Sequence, residues 1–341
     1  MKCYKCGAEL PASGSWCPAC GQAIYTRVGT TGSANGRRID GCLRVAPSPR
    51  DFRAQANVTT LPRRIDLRAG CSAVEDQGQL GSCTANAMVG AVEYLERAKG
   101  KPALDLSRLF VYFNARRAAG RVEADCGASI AGAMAAFLAF GAPPEGAWPY
   151  KPDAFMVTPD PKVYQQGLEH QPAEYARVDG IDAVKGALAR QHPVVFGIDL
   201  PERCYEEAGR TGRMPVVTAA EVEATRQGGG GHAMLLVGYD LDEGTFIVRN
   251  SWGQAWGDHG YFRMPFEVLQ VGSGQGDTWI VGQLEAGGAF TITRPVPAVA
   301  PVGGGVKDMA AKMREELRAG LTKDLTESFQ DIKNRVNPPR R

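Results

Sequence analysis

Eleven residues constrain this chain more than any others: Asp76-Gln77-Gly78-Gln79-Leu80-Gly81-Ser82-Cys83-Thr84-Ala85-Asn86. Gly78 and Gly81 mark a loop that turns tightly or approaches another group closely. From Cys83 onward Met88, Ala91, Val92 and Leu95 recur at helical spacing, and Gly100 supplies a stop, so the pattern predicts a helix over 83–99. Cys83 therefore sits at a helix N-terminus, where free backbone amides and the helix dipole favour thiolate over thiol. Gln77, six residues upstream, carries an amide able to donate to an oxyanion. A single cysteine is ordinarily a small buried hydrophobe. A reactive one needs a base and a group that orients the base.

Both have candidates downstream. His232 follows Gly228-Gly229-Gly230-Gly231 and opens the apolar run Ala233-Met234-Leu235-Leu236-Val237. Asn250 ends Thr245-Phe246-Ile247-Val248-Arg249. The two runs read as strands, with Leu241-Asp242-Glu243-Gly244 as the turn between them. Folding that hairpin brings position 232 close to position 250. The Asn250 amide oxygen can then hold one imidazole nitrogen while the other faces the thiol, which is the nucleophile, base and orienter set of a thiol hydrolase.

Gln-Gly-x-x-Gly-Ser-Cys, Gly-His-Ala and Asn-Ser-Trp-Gly, in this order, resemble the papain family of cysteine proteases. The run Asn250-Ser251-Trp252-Gly253-Gln254-Ala255-Trp256-Gly257 is similar to that family almost residue for residue. Leu80 to Asn86 and Leu109-Phe110-Val111-Tyr112-Phe113-Asn114-Ala115-Arg116 look more like its prokaryotic branch. The resemblance spans about residues 60–285 and implies an α+β, two-lobed fold with a helical half and an antiparallel β half. It also implies an endopeptidase in which Cys83 attacks the peptide carbonyl and His232 is the base. Asn250 would orient the imidazole, and Gln77 would complete the oxyanion hole. Trp252 would shield the His–Asn bond and Trp256 would flank the leaving-group side. Gly127 and Ala128 would offer backbone to an extended substrate, and Gly231 would border an apolar subsite. The same triad could serve acyl transfer or deamidation of a protein partner, or the frame could be a non-catalytic scaffold.

The flanks carry other patterns. Cys3-x-x-Cys6 and Cys17-x-x-Cys20, each followed by glycine, suit a tetrahedral structural zinc in a short ribbon over 1–23. Catalysis itself calls for no cofactor. Residues 24–60 lack periodicity and read as a linker; the helical pro-segment that covers the cleft in zymogens of the family has no visible counterpart. The peptidase domain is expected over 61–294, a Pro/Gly linker over 295–305, and an amphipathic tail helix within 306–341, carried by Met309, Met313, Leu317, Leu321 and Leu325. That helix would dock on its own chain or pair with a protein partner. The net charge is +2, with eleven Lys/Arg against four Asp/Glu in 1–70 and nine against six in 306–341. Ordinary solvated faces explain this better than attraction to nucleic acid. No stretch is apolar for long enough to span a membrane. The N-terminus shows no secretory pattern, and Cys126 lacks its usual mate because Leu80 stands there. These features predict a reducing, cytoplasmic setting.

Overall fold

The computed structural model describes residues 33–34, 37–45, 47–172, 174–229, 231–273, 277–284, 288–293, 305–317 and 319. The expected zinc ribbon lies outside them.

Three helices form one half: α1 Cys83–Ala98, α2 Arg108–Ala118 and α3 Ile130–Phe140. Ser107 caps α2, its Oγ accepting from Phe110 N at 3.2 Å. Helix α3 is buried on every side, because Ala and Gly alternate with Ile130, Met134, Phe137 and Phe140 and leave no polar face. Helix α1 lies against both of these and against the sheet of the other half.

The second half is built on a sheet of nine strands. Two short strands, β1 Ser33–Ala34 and β2 Arg37–Arg38, pair separately. The sheet takes β3 Arg53–Ala56, β4 Arg64–Asp66, β5 Glu174–Arg177, β6 Val194–Ile198, β7 His232–Asp240, β8 Thr245–Arg249, β9 Tyr261–Pro265, β10 Thr278–Gly282 and β11 Phe290–Thr293. Their order is β11-β3-β5-β10-β6-β7-β8-β9, with β4 added beside β7. Strands β6, β7 and β8 are buried along their whole length, as their unbroken apolar runs require. The β7–β8 hairpin pairs Leu235 with Arg249, and a register shift between Leu236 and Gly238 absorbs one residue.

The structure adds to the sequence reading in two regions. The described residues of 24–60 are not a free linker. Strand β3 sits inside the sheet between β11 and β5. Asp51 is buried and receives Arg177 Nε at 2.9 Å, a guanidinium that also stacks 3.9 Å over the Trp279 ring. A buried charge needs such a partner, so this pair fixes where the segment enters the domain. The C-terminal segment also docks on its own chain as far as it is described. Residues 306–317 are helical. Val306, Ala310 and Met313 join the core, and Arg50 Nη1 pairs with Asp308 at 2.8 Å. The rest of the expected tail helix lies outside the described residues.

Five further helices follow: α4 Pro161–Gly167, whose Tyr164 packs on Phe110 and Phe140 of the helical half, and α5 Ile181–Ala189, α6 Glu202–Thr211, α7 Ala219–Gly228 and α8 Phe266–Gly272. Of these, only α5 was expected. Thr218 and Glu221 form a capping box that starts α7. Among the described residues, no helix is long and apolar enough to cross a membrane.

Candidate active site

The thiol, the imidazole and the amide come from three elements that meet where α1 abuts β7. Cys83 is the first residue of α1, His232 the first of β7, and Asn250 directly follows β8. His232 Nε2 and Asn250 Oδ1 are 2.8 Å apart. Ser251 N also donates to Asn250 Oδ1, at 2.9 Å, which identifies that atom as the acceptor. Nε2 therefore carries the ring proton. Nδ1 is left as a buried acceptor with no hydrogen-bond partner. On the other side, the backbone amides of Ala233 and Thr84 reach the Cys83 sulfur. The thiol thus lies against the residue that follows His232.

Aromatic rings seal the pair. Trp252 stacks on the His232 ring at 4.9 Å and 27°, and Trp256 stands edge-on to Trp252 at 5.1 Å. Tyr205 of α6 adds a T-shaped contact with His232 at 5.7 Å. The sequence reading missed Tyr205, whose buried position at helical spacing resembles ordinary core.

Gln77 is fully buried and held at both ends of its amide. Its Oε1 accepts from Ser251 Oγ at 2.5 Å, and its Nε2 donates to Leu80 O at 2.8 Å. One Nε2 hydrogen remains for another acceptor. Tyr150 braces the same loop by donating to Gln77 O at 2.9 Å and bonding Ser82 Oγ at 2.6 Å.

Electrostatics depart from the expectation drawn from the helix terminus. Burial pushes the Cys83 thiol up to about 12 and the His232 imidazole down to about 4. Both are wholly covered, so desolvation outweighs the amides and the helix dipole. Burial thus favours the uncharged form of both groups.

The cover is the chain's own N-terminal segment. Residues 39–43 run between Ala128 on one wall and Gly231 on the other. Ala128 N donates to Gly41 O at 3.0 Å, and Leu43 N donates to Ala128 O at 2.9 Å. Gly231 N donates to Ile39 O at 2.7 Å, and Cys42 N donates to Gly231 O at 2.8 Å. The three backbones are packed too closely for side chains. A Cβ on Gly127, whose φ is +74°, would lie 2.5 Å from Gly41 O, and one on Gly231 would lie 2.3 Å from Cys42 O. Asp125 fixes this corner. It accepts from Gly81 N at 3.0 Å and from Tyr112, and it pairs with Arg38 of the segment. Part of the stretch read as a linker, 24–60, thus lies over the cleft. Short-range pairing with glycines, not a helix, holds it there.

The structure therefore gathers Cys83, His232, Asn250, Gln77, Trp252 and Trp256 at one end of this groove, with Gly127, Ala128 and Gly231 along it. The cysteines expected to hold zinc (Cys3, Cys6, Cys17 and Cys20) are not among the described residues.

Comparisons with known proteins agree on the fold. The sequence profile described as "Papain family cysteine protease" matches residues 61–273. An uncharacterized peptidase C1-like protein of Acanthamoeba polyphaga mimivirus is 34% identical over 220 residues, covering 61% of this chain and 69% of that protein. Cathepsin K of Gallus gallus is 32% identical over 236 residues, and the alignment spans 66% of this chain and 61% of that protein. Among solved structures, xylellain, a cysteine protease from Xylella fastidiosa, superposes with a TM-score of 0.64. It is 31% identical and covers 76% of this chain and 99% of its own.

Proposed function

Because the chain belongs to the papain family of cysteine proteases, we propose that it is an endopeptidase working through Cys83, His232 and Asn250. The observation that carries this reading is the imidazole's hydrogen bonding. Nε2 is held by Asn250, so Nδ1 is the acceptor left free on the imidazole, and the thiol lies against Ala233, the next residue along. When the groove opens and water enters, the burial that keeps both groups neutral is relieved. The proton can then pass from sulfur to Nδ1. The thiolate attacks the peptide carbonyl, and the imidazolium gives its proton to the leaving amine. The Cys83 backbone amide and the free Nε2 hydrogen of Gln77 receive the oxyanion; in comparable enzymes one such donor contributes about 3 kcal/mol. Trp252 keeps water from the His232–Asn250 bond.

A polypeptide substrate would pair with Ala128 and Gly231, the groups now taken by residues 39–43. The test is turnover of a mixed peptide library by the full chain, with Cys83→Ala as control. Cleavage that survives in Cys83→Ala would refute the assignment.

The setting is read as cytoplasmic. Its support is that the five described cysteines (Cys42, Cys71, Cys83, Cys126 and Cys204) are all free. Cys3, Cys6, Cys17 and Cys20 are read as a closed, structural zinc set that folds its own short ribbon. Elemental analysis of the purified full chain should find about one zinc per chain, as four thiolates per tetrahedral site require. The metal should be lost in the Cys3→Ser, Cys6→Ser double variant. Full zinc retention there would exclude this ligand set. The ribbon and the tail beyond 317 are read as the segments that would bind a protein partner selecting substrates.

A further inference from the structure

The segment that fills the groove continues from Cys42 into Arg44, whose side chain enters a built pocket beside Gly231. Its Nε lies 3.2 Å from Asp199 Oδ2. Nη1 and Nη2 donate to Ser273 O and Gly272 O, each at 3.0 Å, and Nη1 stands 3.7 Å from Asp277 Oδ2. The Asp199 side chain is fully buried and that of Asp277 nearly so. Gly197 keeps the approach open: a Cβ there would meet Cys42 Sγ at 3.0 Å and Asp277 Oδ2 at 3.1 Å. Two carboxylates and two backbone carbonyls thus converge on one guanidinium.

The remaining charges do not replace Arg44. With its side chain withdrawn, Asp199 keeps Arg226 at 3.0 Å, and Asp277 keeps the Trp279 Nε1 donor at 2.8 Å and Arg177 at 3.9 Å. Arg177 is already engaged by Asp51 at 2.9 Å. Three buried carboxylates then face two guanidiniums, Ser273 O loses the Arg44 donor, and Gly272 O keeps Asp199 N at 3.2 Å. A site one cation short and rich in acceptors favours a basic side chain over an apolar one. This argues against the apolar subsite expected beside Gly231.

We infer that the pocket now holding Arg44 is a substrate subsite, and that the enzyme prefers peptides carrying arginine or lysine on the acyl side of the cut. The inference rests on the endopeptidase reading above, and it makes residues 38–44 a pseudosubstrate. Arg44 occupies the subsite while the neighbouring backbone pairs with both walls of the groove.

Two measurements on the full chain separate this inference from the reading beneath it. The first is kcat/KM on fluorogenic peptides randomised over the acyl-side positions, using the native protein and Arg44→Ala. Arginine should exceed leucine by about tenfold or more at one position, the scale of a charge-assisted bond. Asp277→Asn and Asp199→Asn should each shrink that ratio several-fold. Equal rates for arginine and leucine, or a ratio unmoved by either variant, would overturn the inference. The second measurement needs no chemistry. Calorimetry on Arg44→Ala with Cys83→Ala compares peptides carrying arginine with ones carrying norleucine. Tighter binding of arginine, lost in Asp277→Asn, upholds the pocket even if no peptide is cleaved, in which case only the endopeptidase reading fails. Equal binding refutes the pocket whatever the turnover.

Discussion

Cys83→Ala and His232→Ala should each lower peptide turnover by about 10⁴-fold or more, and the double variant should be little worse than either. The two act as a unit. Without the sulfur there is no nucleophile. Without the imidazole the thiol stays protonated, and the leaving amine has no acid. Asn250→Ala should be milder and should retain measurable turnover, because Trp252 still stacks on the ring at 4.9 Å and holds its plane. What Asn250 adds is the tautomer: with Oδ1 accepting, the proton stays on Nε2 and Nδ1 stays basic. The check is kcat/KM for all four proteins on one peptide, with circular dichroism to confirm folding. Near-native rates for His232→Ala would remove the imidazole from the mechanism. Additive losses in the double variant would show that the two side chains do not act together.

The sequence made the reacting groups legible because each sits at the end of an element with a strong local signal. Cys83 opens a helix announced by Gly81 and by the spacing of Met88, Ala91 and Leu95. His232 and Asn250 flank a hairpin whose turn is marked by Gly244. Their meeting follows from chain geometry alone, since β7 and β8 must pair. The order of the papain motifs pointed the same way. What periodicity could not show was which irregular segments return to the core. Strand β3 is only four residues, Arg53–Ala56, and its burial pattern has one fully buried position, Ala54. Such a strand carries no alternation strong enough to read. Its place is fixed instead by the Asp51–Arg177 pair, a contact across 126 positions. Tyr205 and Tyr150 were invisible for a related reason. Each acts through a ring or hydroxyl placed by tertiary packing, with no motif around it.

The protonation of the site taught the opposite lesson. A cysteine at a helix N-terminus is expected to be acidic, and the backbone amides of Ala233 and Thr84 do act in that direction here. Burial works against them and prevails, because the groove is filled. On the proposed reading, the same residues would be inert or reactive according to whether residues 39–43 are seated. Sequence points to the candidate nucleophile, but the burial that opposes its ionisation involves a segment forty residues away.

That dependence gives the second large effect. Gly41→Val should raise the rate of Cys83 alkylation by iodoacetamide by about 10³-fold over the native chain, and turnover with it. Four backbone hydrogen bonds hold residues 39–43 to Ala128 and Gly231. At about 1 kcal/mol net for each, releasing the segment is worth roughly three decades in the open population. Gly41 is the point at which the segment can be expelled without touching a wall residue. A Cβ there would lie 2.9 Å from the Gly81 backbone, which cannot yield because Asp125 holds Gly81 N at 3.0 Å. The segment would still be tethered by Asp51 and β3, so the domain core should keep its stability. Alkylation of Cys204, fully buried in α6, serves as the internal standard in the same mass-spectrometric digest. A selective rise at Cys83 identifies residues 39–43 as the restraint on the site. An equal rise at Cys204 would mean that the substitution had loosened the whole domain. No change at either thiol would mean that the groove opens readily without help, and that its seated segment does not hold the enzyme back.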